Sequence, residues 1–424
     1  MIGVVADDTT GANDIGIMFS KNNFLTKIVT FEEKLELSND ADVVIIDTDS
    51  RLDAPEEAYR KVFTATRQLQ AAGCTLFHKK TCSVFRGNVG REFDAMLDAL
   101  GEEFMVISLA FPKNGRQTLH GTHIVHGKLL ECSEFANDPV HPMRQSNLVT
   151  ILQDQTQRKV GLIDIALVRE GKEKLKTALA VARKLYNYCI VDAEYQEDLT
   201  ELARAVQGLT VLGGSSALAE ELPKFWPAKE PYDVLKKLDF KEHNGVLVVS
   251  GSLTPQTAAQ TAYLRFCKVP VITLDTRKIF DETWVKQETE ILAQQAIALL
   301  AAGMDVLLMA DNRPEIVKET KWSGQEKGMA EMAVSKSVSA VLADITAAIV
   351  VTTSLKRLVV AGGDTSGTIC RKLGIKGNIV IKEIETGLPS GLALGREMVI
   401  VLKSGSFGKP EFLQKAVDHL KSLS

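Results

Sequence analysis

Two α/β domains, each a mainly parallel sheet flanked by helices, are what this sequence predicts, and three observations carry the prediction. Short Val- and Ile-rich runs alternate with longer amphipathic stretches, the pattern of parallel strands joined by helices. At 424 residues the chain exceeds what a single hydrophobic core organises. Composition also breaks at Phe225-Trp226-Pro227-Ala228-Lys229-Glu230-Pro231-Tyr232, where two prolines forbid a regular element.

In chain order, Ile2-Gly3-Val4-Val5-Ala6 reads as a strand, then Val43–Ile46, then Leu76-Phe77 with its neighbours, then Met105–Ala110. Between them Pro55–Ala72 is helical, since Ala58, Val62, Ala65 and Leu69 recur every three or four residues. Tyr186–Val191 and Thr210–Leu212 continue the alternation, which the proline break then interrupts. It restarts with Val246–Val249, Val271–Leu274, Val306–Met309, Leu358–Ala361, Ile379–Ile381 and Met398–Leu402. These bounds place one domain over 1–232 and a second over 233–424.

The bulk numbers exclude several classes. With 50 basic and 54 acidic side chains, a net charge of −4 gives no electrostatic case for nucleic acid. Six scattered cysteines without a C-x-x-C pair read as reduced thiols, hence a cytoplasmic chain. No export signal is read at the start, and no apolar run approaching a membrane span is read anywhere. His120, His123 and His126 invite a metal reading, but Gly121 and Gly127 favour loop or strand there, where that spacing does not gather three side chains on one face.

In open parallel sheets ligands bind beyond the carboxyl ends of the strands, so the residues following each strand are the informative ones. In the first domain these are Asp7-Asp8-Thr9-Thr10-Gly11, Asp47-Thr48-Asp49-Ser50-Arg51, His78 through Asn88, and Phe111-Pro112-Lys113-Asn114-Gly115-Arg116. Carboxylates, hydroxyls, Lys and Arg thus converge on one rim, a set suited to a carboxylate-bearing ligand. The plainer reading of Asp14 is a helix N-cap or simple solvation, and of Lys79 solvation. In the second domain the strand ends are Ser250-Gly251-Ser252, Gly362-Gly363-Asp364-Thr365-Ser366-Gly367 and Lys403-Ser404-Gly405-Ser406-Phe407-Gly408. Glycines admit a ligand close to the backbone, and hydroxyls and helix N-termini offer donors to phosphate. Three such loops point to a nucleotide, although neither the P-loop nor the dinucleotide fingerprint is present.

At these loops the chain resembles the four-carbon acid sugar kinase family, which includes threonate, erythronate and 3-oxo-tetronate kinases. The residues that carry the resemblance are Ala6–Ala12, Asp49-Ser50-Arg51, Lys80–Asn88, Phe111-Pro112 with Gly115-Arg116, Ser250-Gly251-Ser252, Gly362–Ser366, and Lys403-Ser404-Gly405 with Phe407-Gly408. It spans essentially the whole chain. It implies a substrate domain followed by an ATP domain, an active site in the cleft between them, and transfer to a terminal hydroxyl of the sugar acid. Carried over by position, Asp8, Arg51, Lys80, Thr81, Cys82 and Ser83 hold substrate, while Ser252, Gly362, Gly363, Asp364, Thr365 and Gly405 hold ATP. Asp8 is the expected base or hydroxyl-orienting group, with Asp7 its close competitor. Arg51 and Lys80 grip the carboxylate and Arg86 braces the loop. Mg²⁺ is expected with ATP, its ligands unassigned. Departures from the family pattern stand at Cys82, usually Asp, at Asp364, usually Glu, and within Asp138-Pro139-Val140-His141-Pro142-Met143, where His141 replaces a common Thr. Cys82 either fills space beside the substrate or, near Lys79, Lys80 and Arg86, is a lowered-pKa thiolate. The expected partner is a small molecule, neither nucleic acid nor membrane, with room left for a homo-oligomer. Rival readings are a non-catalytic two-domain binding protein or sensor, and a dehydrogenase, the latter disfavoured by the missing glycine fingerprint.

Overall fold

The computed structural model describes residues 1–138, 140–235 and 243–423, so Pro139 of the Asp138–Met143 stretch lies outside the described residues. The chain forms two compact units, Met1–Tyr232 and Asp233–Ser424. Each holds its own run of mainly parallel strands.

In the first unit the strands are β1 (Ile2–Ala6), β2 (Thr26–Thr30), β3 (Val43–Asp47), β4 (Leu76–Lys80), β5 (Met105–Ser108), β6 (Arg116–Leu119), β7 (Thr122–Val125), β8 (Lys128–Leu129), β9 (Val160–Ile163), β10 (Tyr188–Val191) and β11 (Val211–Gly214). The strand order is β2-β3-β1-β4-β11-β5-β10-β9, with every pairing parallel. Strands covered on both faces need continuous apolar runs, and β1, β3 and β5 are buried along their full length. Register fixes the rim. Ala6 pairs with Asp47 on one side and Lys80 on the other, and Gly214 pairs with Lys80 and Ser108. The segments that follow these strands therefore emerge together.

β4 extends through His78, Lys79 and Lys80, all buried, where the sequence suggested a loop. A polar run reads as a turn when its partners are distant in sequence, and these partners lie on other elements. The segment β6–β7–β8 is a small antiparallel sheet. Its two-residue turns are His120-Gly121 and His126-Gly127, each with positive φ at both residues, the geometry of tight hairpins. Two of the three histidines are therefore turn residues, while His123 is buried on β7 with Nδ1 3.1 Å from Thr118 Oγ1.

The second unit holds β12 (Leu247–Ser250), β13 (Val271–Leu274), β14 (Val306–Ala310), β15 (Arg357–Ala361), β16 (Gly377–Glu385), β17 (Leu388–Ala393) and β18 (Val399–Lys403). Their order is β13-β14-β12-β15-β18-β17-β16, parallel from β13 to β18 and antiparallel over β18–β17–β16. β17 was not legible in the sequence. Pro389 and Gly391 disguise it, and a register irregularity between Glu383 and Glu385 accommodates the missing N–H of Pro389. One helix, Glu331–Thr353, has the length and apolar composition of a membrane span, against the sequence reading. Val341, Leu342, Ile345 and Ile349 on it belong to this unit's core.

Candidate active site

Asp8 ends the β1 turn and caps helix Thr9–Ser20, its carboxylate accepting from Gly11 N at 2.8 Å and from Thr10 Oγ1 at 2.9 Å. Capping is only part of its role, because Arg51 reaches it from the loop after β3. Arg51 Nη1 donates to Asp8 Oδ2 at 2.7 Å, while Nε and Nη2 clasp both oxygens of Asp7 at 2.9 and 2.8 Å. The two carboxylates differ in access: the Asp7 side chain is 2% exposed and that of Asp8 15%. Burial alone would raise the Asp7 pKa, but the charges of Arg51, Lys79 and Lys80 outweigh it and hold the group at about 2. Asp7 is thus a locked anion of low basicity. Asp8 is the carboxylate that a ligand can reach.

The two lysines at the end of β4 point to different partners. Lys79, far from solvated, is fully buried and pairs with Glu92 at 2.9 Å, whose other oxygen accepts from Ser50 Oγ at 2.6 Å. Lys80 Nζ donates to its neighbour Thr81 O at 2.9 Å and lies 3.6 Å from Asp14 Oδ2. Asp14 is neither an N-cap nor solvated: it sits in mid-helix, buried, accepting from Ser216 Oγ at 2.7 Å. Burial raises its pKa against the opposing charge of Lys80. A Cβ at Gly11 would stand 2.5 Å from Asp8 Oδ1 and 3.2 Å from Lys80 Nζ, so only glycine lets both groups close on this backbone position. Thr81 is anchored by its N–H to Gly214 O at 2.9 Å.

Cys82 and Ser83 continue the loop and are also buried. Arg86 Nε donates to Cys82 Sγ at 3.4 Å and Nη1 to Asp138 Oδ2 at 2.6 Å, and the guanidinium lies over the Phe135 ring. Burial raises the Cys82 pKa, yet the charges of Arg86 and Arg51 outweigh it and the net direction is downward. His141 Nε2 donates to Arg51 O at 3.1 Å, so it supports the Arg51 loop from behind. The structure thus gathers Asp7, Asp8, Arg51, Lys80, Thr81, Cys82, Ser83 and Arg86 on one rim. Sequence reasoning missed the roles of Glu92, Asp138 and Asp47. Glu92 had a signal, an acid on the buried face of amphipathic helix Val89–Leu100. Asp47 accepts from Thr9 Oγ1 at 2.5 Å, and burial followed by the Asp49 charge raises its pKa to about 7.

In the second unit the loops after β12, β15 and β18 interlock. Gly405 O accepts from Thr254 Oγ1 at 2.6 Å, Thr257 Oγ1 at 2.8 Å and Lys403 Nζ at 3.0 Å. Gly362 has φ +129°, and helix Gly363–Lys372 begins directly after it, with exposed Asp364 and buried Thr365 in its first turn. A Cβ on Gly405 would approach Ser252 Oγ to 2.5 Å, and one on Gly251 would approach Thr365 Oγ1 to 2.3 Å. Helices Pro255–Phe266 and Gly363–Lys372 both start at these loops. Pro255–Phe266 opens with proline and has its Thr257 N–H capped by Thr254 Oγ1, whereas Gly363–Lys372 has no side-chain cap and offers first-turn N–H groups of the kind that take phosphate.

Comparison with known proteins gives consistent matches. The sequence model of a sugar-binding N-terminal domain matches residues 2–222, and that of a nucleotide-binding C-terminal domain matches residues 247–413. A 3-oxo-tetronate kinase of Brucella melitensis is 31% identical, covering 98% of this chain and 94% of its own. A D-erythronate kinase of Heliobacterium modesticaldum is also 31% identical, over 98% of this chain and 96% of its own. A crystal structure from Salmonella typhimurium LT2, provisionally described as a tRNA synthase, superposes with TM-score 0.82 at 28% identity, covering 98% of each chain.

Proposed function

Because the chain belongs to the four-carbon acid sugar kinase family, we propose that it is an ATP-dependent kinase acting on a terminal hydroxyl of a four-carbon sugar acid. The sugar acid is assigned to the first unit and the nucleotide to the second. The observation that carries the assignment is the convergence of the Asp8 carboxylate and the Lys80 ammonium on the backbone at Gly11.

Phosphoryl transfer asks the protein for alignment and charge neutralisation more than for covalent chemistry. Asp8 is assigned to orient the substrate hydroxyl and accept its proton, because Asp7 is clasped by Arg51 and too weak a base. Lys80, the N–H groups of Arg51 not spent on Asp7 and Asp8, and the Arg86 loop face the substrate carboxylate. The Gly362–Thr365 loop, Ser252 and Gly405 are assigned to the nucleotide. Asp364, an exposed carboxylate beside them, would suit a hard cation such as Mg²⁺, which would neutralise phosphate charge there. The cytoplasm is the compartment this reading assigns, with a small molecule as the partner. A coupled assay for ADP formation over D-threonate, D-erythronate and their oxidised forms tests the function. Acid-dependent ADP release is expected. Nucleotide binding without turnover on any of them would favour the non-catalytic binder instead.

Two further outcomes are expected. Gly405→Val pushes against Ser252 and Thr254 and so displaces the loop assigned to the nucleotide; a loss of about 1–3 kcal/mol in binding corresponds to roughly 5- to 150-fold weaker nucleotide affinity. Calorimetry on each ligand separately should show that loss with sugar-acid affinity intact; unchanged ADP affinity would remove the Gly405 loop from the nucleotide site. Cys82 should react with iodoacetamide at neutral pH faster than Cys74 and Cys189, which burial pushes up to about 11 and 12. Sugar acid at ten times its Kd should slow that labelling by about tenfold, and ADP should not. Labelling indifferent to the acid would detach Cys82 from the substrate loop.

A further inference from the structure

Lys403 ends β18 with no exposed surface, and among the described residues its ammonium has no acidic partner. Its nitrogen donates to Thr257 Oγ1 at 2.8 Å and to Gly405 O at 3.0 Å, both neutral acceptors. The charged and titratable side chains of the surrounding elements are engaged elsewhere or turned outward. Arg265 on helix Pro255–Phe266 meets Met309, Lys415 on the C-terminal helix pairs with Glu385, and His419 bonds Ser390. Asp364 is exposed, and Arg357 and Arg371, on β15 and helix Gly363–Lys372, are themselves cations. An isolated ammonium in such a place is costly, and a lysine that only held a carbonyl in place would be replaceable by a neutral donor.

We propose that Lys403 is a positioning residue whose charge is completed by the nucleotide: it fixes the Gly405 peptide from behind, and the phosphates in front of that loop supply the anion it lacks. The inference rests on assigning the nucleotide to the second unit. Burial alone lowers the Lys403 pKa to about 7, so in the free protein it is partly deprotonated at neutral pH. A phosphate charge within several ångströms favours the protonated form by roughly tenfold or more. The sign follows directly. The pKa is higher in the complex than in the free protein, so binding takes up a proton, and affinity falls as pH rises above the free value.

The test is titration calorimetry with ADP at pH 8 in two buffers of different ionisation enthalpy, on the full chain. At that pH the terminal phosphate, with pKa near 6, is already ionised and contributes almost nothing. Wild type should take up about 0.4 proton per ADP at pH 8 if binding raises the free pKa of about 7 by the tenfold minimum, and up to about 0.9 for a larger rise. The uptake should vanish in Lys403→Met, with ADP bound at least tenfold more weakly, and should also vanish in Lys403→Arg, which stays charged throughout. The Arg variant also reports if the Met variant fails to fold. Uptake that persists in either variant, or ADP binding to wild type without uptake, overturns the role of Lys403 and leaves the nucleotide assignment standing. Wild type that binds no ADP overturns both.

Discussion

Asp8→Asn is expected to lower kcat by about 10²- to 10⁴-fold, the usual contribution of a positioned general base, with ADP affinity unchanged. Asparagine keeps one oxygen to accept from Gly11 N, so the cap of helix Thr9–Ser20 survives, while the charge, the basicity and the bond accepted from Arg51 Nη1 are lost. Steady-state kinetics and ADP calorimetry on the same preparation decide the matter. Wild-type kcat in Asp8→Asn would pass the role to Asp7, despite the lowered pKa of that group.

Arg51→Met should have the largest effect on stability. It leaves the Asp7 carboxylate buried without its bidentate partner, and removing one member of a buried pair costs about 3–5 kcal/mol. The pH dependence should also invert. In wild type the Asp7 pKa is lowered, so its contribution is present above the unfolded value of 3.8 and is lost as pH falls toward about 2. Without Arg51 the burial effect dominates and raises that pKa, so the variant's deficit should narrow as pH falls below neutrality and Asp7 is protonated. Urea midpoints at pH 7 and pH 5 measure this. A deficit that is equal at both would show that Lys79 and Lys80 alone keep Asp7 ionised.

Much of this architecture was legible in the residues because parallel strands covered on both faces must be apolar throughout, as β1, β3 and β14 are. The rim was legible for a related reason: polar residues placed directly after apolar strands have few structural uses. What stayed hidden depended on pairing across the chain. Lys79 read as solvated because nothing near it in sequence announced Glu92 as its partner. Asp14 read as a cap or as solvated because its buried company, Lys80 and Ser216, comes from elements far along the chain. Lys403 read as the start of a loop, although β18 carries it fully inside. The difference between Asp7 and Asp8 was also invisible, since two adjacent carboxylates look alike until an arginine is seen to grip one more tightly.

The position of β11 bears on how the chain reaches this state during synthesis. β11 is the last strand of the first unit in sequence, yet it lies between β4 and β5 in the interior of the sheet. Until Val211–Gly214 has left the ribosome, β4 and β5 have unpaired edges, and the order of closure is set by the longest sequence separations in the unit. The nascent first unit should therefore stay unassembled while roughly its first 200 residues are made, exposed to chaperones and prone to strand-mediated association. Fragments ending before Val211 should be insoluble, and those ending after Tyr232 should fold.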